Sequence, residues 1–155
     1  MNKIWISTLF CALVTLAAGG QAQPLLELRD AWVRALPPSQ PTTAAYLVLR
    51  NSGDVAQTVT GASVPVAGRV EIHTMREIDG YLRMQQLPRL ELPAGAEVAL
   101  EPGATHLMLL ELERMPVQGE VLDLCLDLAS GEQVCTRAEV RRDDAPQAPH
   151  QHHHH

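Results

Sequence analysis

The sequence predicts an all-β fold, a single β-sandwich domain, on three observations. Short alternating or apolar runs recur along the chain, and Gly, Pro, Asn and Asp punctuate them at close intervals. Past the first 22 residues no stretch carries a helical period over eleven positions. A length of 155 residues suits one domain of ordinary size rather than two.

The N-terminus precedes that domain and reads as a secretory signal. Lys3 supplies the positive start, Ile4 to Ala18 runs without a charge, and Gly20-Gln21-Ala22 offers small residues for cleavage after Ala22. The apolar run falls short of the roughly 20 residues needed to span a bilayer. Bulky Phe10 before Cys11, and the place of Cys11 inside the apolar run, argue against lipid attachment there. Residues 1–22 are thus expected to leave a periplasmic protein whose folded domain is 23–141.

The first strand of that domain is read at Leu26–Arg34, and Pro37-Pro38 follows it. Runs at Ala44–Arg50 and Gln57–Ala62 come next, with Asn51-Ser52-Gly53 turning between them. Arg69–Arg76 and Tyr81–Leu87 then flank Asp79-Gly80, a strong two-residue hairpin signal. That turn pairs Ile78 with Tyr81 and, three steps back, Met75 with Met84. The same register sets Val70 and Ile72 on the face of Arg83 and Gln85, which invites a bulge or a slip. Glu97–Leu100 and Thr105–Leu112 follow, separated by Pro102-Gly103. The last two runs, Glu120–Leu128 and Val134–Arg141, surround Ser130-Gly131. A hairpin turning at residue 130 sets Cys125 and Cys135 opposite or nearly opposite each other, and export permits a disulfide between them. Nine residues separate these cysteines where a thioredoxin-type motif has two. Trp32 and Tyr46 read as core aromatics and Met115 as core filler.

From 142 to 155 the chain is rich in Asp, Ala, Pro and Gln and reads as a disordered tail. His150, His152, His153, His154 and His155 lie in it, and their imidazoles suit divalent copper or zinc.

Composition removes several function classes. Twelve Lys and Arg face 18 Asp and Glu, for a formal charge of −6, and no basic run offers itself to a nucleic-acid backbone. Aromatic residues are 3% of the chain, too few for base-stacking platforms or an aromatic-lined cofactor pocket. No Ser-His-Asp set or carboxylate pair stands out, and the protein reads as a non-enzyme.

What remains is a pattern of His and Met. Between the signal and the tail the only histidines are His73 and His106, and each has a methionine two places on, Met75 and Met108. Positions i and i+2 of a strand share a face, so each pair offers an imidazole and a thioether to one side. The Asp79-Gly80 register brings Met84 diagonal to His73, on the face of His73 and Met75. Thioethers are soft, neutral ligands that suit copper(I) and serve magnesium, calcium or manganese poorly. Two His and two Met make an uncharged set for a closed-shell ion, with copper(II) less favoured than at a thiolate or carboxylate site. Such a set suits a carrier that must hold and release its metal.

These residues resemble the periplasmic copper chaperones of the PCu(A)C type. In that family a His, ten residues, a Met, twenty-one residues and His-x-Met follow one another, as do His73, Met84 and His106-Leu107-Met108 here. Asp30-Ala31-Trp32-Val33-Arg34-Ala35, Ala44-Ala45-Tyr46-Leu47 and Pro102-Gly103 are similar to the family's flanking segments. The resemblance implies a cupredoxin-like β-sandwich that binds one copper(I) through His73, Met84, His106 and Met108, with Met75 an additional candidate. It also implies delivery to an acceptor such as the CuA centre in cytochrome c oxidase subunit II, or to another copper carrier. Some relatives carry a copper(II)-binding tail rich in His and Met, whereas the tail here has no Met. Two other readings use the same scaffold. One is an exported redox protein, although a blue-copper site needs a Cys ligand beside its His pair and neither Cys125 nor Cys135 has a neighbouring His. The other is an interaction module in which Met and His merely pack.

Overall fold

The computed structural model describes residues 26–142. Ten strands cross them: β1 Leu26–Arg34, β2 Thr43–Asn51, β3 Gln57–Ser63, β4 Ala67–Ile78, β5 Tyr81–Leu87, β6 Leu90–Leu92, β7 Glu97–Leu100, β8 His106–Leu112, β9 Val121–Leu128 and β10 Gln133–Arg141. No helix occurs among the described residues, hence none long and apolar enough to cross a membrane. Each run read from the sequence is a strand, with ends moved by two residues at most. β6 was not foreseen, because its three residues sit between Pro88 and Pro93 and lack the length for an alternating pattern.

The strands join in one open sheet, in the order β5-β4-β8-β2-β1-β10-β9-β3-β6, with β7 paired to β2 off that path. β1 and β10 pair in parallel at the middle of the path. On β2 the apolar positions Ala45, Leu47 and Leu49 point one way, as do Leu107 and Leu109 on β8 and Leu122, Leu124 and Leu126 on β9. All of them meet in a single buried cluster, so the sheet folds over itself around one core. Asn51, fully buried at the end of β2, fastens one rim of this core. Its side-chain amide donates to the carbonyls of Val55, Leu92 and Pro93 at 2.8, 3.1 and 3.1 Å.

Trp32 and Tyr46 are buried, but not in that core. The pairing of β1 with β2 shifts between Arg29 and Trp32, and Asp30 takes a φ of 52° in the bulge. The extra residue reverses the alternation, so Leu26 and Val33 both face the core while Trp32 turns to the opposite side. There it packs on Tyr46, ring centroids 4.4 Å apart, with Ala44 and Met108 beside them. Arg34 lies over the Tyr46 ring and Arg141 over the Trp32 ring, closing this second cluster from solvent.

Two hairpins complete the frame. At the β4–β5 turn Asp79 and Gly80 have φ of 54° and 80°, and pairing runs from Ile78 with Tyr81 to Ile72 with Leu87 without a shift. No bulge is needed there, because β8 pairs with β4 only as far as His73. Beyond that point the hairpin projects past the sheet, so Arg83 and Gln85 face solvent, while Ile72, Leu87 and the earlier β4 residues Ala67 and Val70 reach the core. At the β9–β10 hairpin Cys125 stands directly opposite Cys135 and their sulfurs are bonded. In the β8–β9 loop, hydrogen bonds from the Arg114 guanidinium and the Val117 N–H hold the Glu120 carboxyl down at about 2. Met115, read as core filler, instead lines an apolar hollow with Leu36, Pro38 and Pro116, among others.

Candidate metal centre

β4 and β8 are antiparallel neighbours whose register sets His73 directly opposite His106. The two rings lie with centroids 6.1 Å apart and planes inclined by 42°. One step along the same pairing Glu71 faces Met108, so Met108 sits diagonal to His73 and two residues from His106 on the same face. On the other flank of β4, Met75 stands opposite Met84 of β5, which makes Met84 diagonal to His73. Three adjacent strands therefore turn two imidazoles and three thioethers toward one side of the sheet, the side away from the main core.

The hydrogen bonds of the two rings fix which nitrogens are free. The carbonyl of Ala104 accepts from Nδ1–H of His106 at 2.9 Å, leaving Nε2 as the bare lone pair. The Glu71 carboxylate accepts from Nε2–H of His73 at 2.7 Å. Nδ1 of His73 is then the bare nitrogen, and it is buried without a hydrogen-bond partner. A buried polar atom left in that state costs about 1–3 kcal/mol, which a bound cation would offset. Thr74 and Thr105, the residues beside the two histidines, share a hydroxyl hydrogen bond of 3.0 Å and hold this end of β8 against β4.

Burial grades across the site. His106 is buried and lies 6.3 Å from the Tyr46 ring, centroid to centroid. Met108 and His73 are half-buried, Met108 against the Trp32–Tyr46 cluster. Met84 is 50% exposed at the projecting hairpin, so the set opens to solvent on the β5 side. Among the described residues no group of three or more His, Cys, Asp or Glu has metal-holding geometry, and thioethers are the donors that could complete a His pair. The tail positions His150, His152, His153, His154 and His155, and residues 1–22 with Cys11, read from the sequence as a signal, lie outside the described residues.

Residues 26–140 match the family model "Putative lipoprotein LpqE-like". The chain belongs to the LpqE-like family. The LpqE-like chain is 28% identical over 107 residues to "Putative lipoprotein Lxx21020" of Leifsonia xyli subsp. xyli, a match covering 68% of this chain and about 63% of that relative's length. It is also similar to the solution structure of CuI-DR1885 from Deinococcus radiodurans, at 32% identity and a TM-score of 0.65, covering 82% of this chain and 85% of that one. The copper-bound PCuAC domain from PmoF2 superimposes with a TM-score of 0.66 at 20% identity, over 79% of this chain and 97% of that domain. These likenesses give the LpqE-like chain the cupredoxin-like β fold of PCuAC domains, in keeping with the resemblance drawn from its motifs.

One neighbour of the site escaped the sequence reading. Glu71 brings a carboxylate against His73 in what read as an uncharged set, and Arg69 Nε holds that carboxylate from the other side at 3.3 Å. The signal was available, since Arg69, Glu71 and His73 alternate along one strand face.

Proposed function

We propose that this LpqE-like protein is an exported, non-enzymatic copper(I) metallochaperone. Its signal, residues 1–22, directs it to the periplasm, where His73, Met84, His106 and Met108 hold one ion, with Met75 in reserve on the approach. The observation that carries this reading is the facing pair of imidazoles, each with a bare nitrogen, on the same side of the sheet as the thioethers. Two neutral nitrogens and two neutral sulfurs suit a monovalent soft cation, and the set imposes no strong geometry on it. The similar DR1885 protein, solved in a copper(I) form, supports copper as the cargo.

Carriage requires release as well as capture. With Met84 half exposed on an edge hairpin, an acceptor's ligand can approach on that side and displace one thioether before the others let go. The acceptor of this reading is a copper protein such as cytochrome c oxidase subunit II with its CuA centre, or another carrier. The tail histidines would gather copper(II) separately. An electron-transfer role is disfavoured because Cys125 and Cys135 are bonded to each other, which leaves no thiolate for a blue-copper site among the described residues.

The test is a copper(I) titration against a chromogenic chelator, without oxygen, on the full chain with its five tail histidines changed to Ala. One ion per chain is the expected stoichiometry. No copper withdrawn from the chelator would leave only a packing role for these residues.

A further inference from the structure

We infer that Glu71 is the positioning residue of the site: it turns His73 into an Nδ1 donor, so that the two histidines would present unlike nitrogens, Nδ1 from β4 and Nε2 from β8. The inference rests on the copper reading and adds a residue and an atom assignment to it. An ionised carboxylate only accepts, so its contact with Nε2 at 2.7 Å places the proton there. The unpartnered, buried Nδ1 is what remains for a metal. His106 shows the opposite arrangement, because the Ala104 carbonyl takes its Nδ1–H.

Glu71 is itself held in place. Arg69 Nε lies 3.3 Å from its other oxygen, and Arg69 Nη2 lies 3.6 Å from Glu111, so the carboxylate cannot swing away without breaking an ion pair. Both Arg69 and Glu71 are on the strand face of His73, which lets β4 carry ligand, orienting group and anchor at alternate positions. A hydrogen-bonded carboxylate behind an imidazole fixes its tautomer and ring orientation and raises its basicity as a ligand. It also adds a negative charge beside a ligand set that has none, without itself ligating the ion.

Two readouts on the full chain test this. Long-range proton–nitrogen correlation spectra of the metal-free protein at pH 8 report the tautomer of each ring. We expect Nε2–H for His73 and Nδ1–H for His106 in the wild type, and a mixture at His73 alone in Glu71→Ala. Glu71→Gln, whose amide oxygen still accepts, should keep the Nε2–H form. Competition with a copper(I) chelator should show Glu71→Ala about 10- to 100-fold weaker than wild type, with Glu71→Gln in between. A residue that merely supported the strand would lower the melting temperature and leave the His73 tautomer as it was. Nδ1–H at His73 in the wild type, or an unchanged tautomer and affinity in Glu71→Ala while the wild type binds copper(I), overturns the inference alone. A wild type that takes no copper(I) overturns the carrier reading, and the metal-facing role of Nδ1 with it.

Discussion

Met84 and Met108 offer the same donor atom from unlike surroundings, and that difference separates binding from folding at the scale of single residues. Met108 packs on Trp32, Ala44 and Tyr46, so truncating it removes contacts as well as a thioether. Met84 is half exposed on β5, the end strand of the sheet, which pairs only with β4. Met108→Ala should therefore cost about 1–2 kcal/mol of stability, below the 2–5 kcal/mol of a fully buried Met→Ala. Met84→Ala should stay within about 0.5 kcal/mol of wild type. Both should weaken copper(I) by at least about tenfold, the equivalent of roughly 1.4 kcal/mol. Urea denaturation and chelator competition on the same two variants check the split, and equal copper affinity in Met84→Ala and wild type would remove Met84 from the set. At this scale the sequence was most legible where strand periodicity decides, as in His73 with Met75 and His106 with Met108. It was least legible where a bulge or an inter-strand contact decides. Trp32 is buried as read, but the bulge at Asp30 sends it to the second cluster rather than the main one. Glu71 joined the site through a contact its own alternation could suggest but not assign.

Among the elements, the β4–β5 hairpin brings Met75 and Met84 to the site on its projecting part, residues 74–86, which adds nothing to the main core. Its turn was readable because Asp79-Gly80 meets the positive φ that a tight hairpin demands at both central residues. Its projection beyond β8 was not readable, since it depends on where β8 starts in three dimensions rather than on the hairpin's own residues. A Cβ at Gly80 would meet nothing within 4 Å, so any cost of a side chain there is conformational rather than steric crowding from neighbours. Gly80→Val forces a β-branched residue into the left-handed region, at about 1–2 kcal/mol or slightly more. The expected result is local: faster amide exchange along β5, weaker copper(I) binding because Met84 loses its fixed place, and a nearly unchanged global melting temperature. A fall in melting temperature as large as that of a core variant would mean that the hairpin is part of the cooperative unit.

Over the whole molecule, one continuous sheet divides its tasks at the parallel β1–β10 joint. The half running β5-β4-β8-β2-β1 carries His73, Met75, Met84, His106 and Met108, with the Trp32–Tyr46 cluster behind them. The half running β10-β9-β3-β6 supplies the other wall of the core and the disulfide. This division could not be taken from the sequence, because only the local hairpins, β4–β5 and β9–β10, announce their register through turn residues. The pairings that build the site, β8 with β4 and β8 with β2, join segments more than 30 and 60 residues apart and leave no local trace. The disulfide tests the division. It closes a short loop with a sequence separation of 10, for which the chain-entropy account gives about 2–3 kcal/mol of stabilisation. Replacing both Cys125 and Cys135 with Ser should lower the urea midpoint accordingly. Copper(I) stoichiometry and affinity, measured well below that midpoint, should not move, since neither sulfur lies on the ligand-bearing half. A tenfold loss of copper affinity in a double variant that is still folded would show that the two halves are energetically coupled through the core, and that the site depends on the whole sheet.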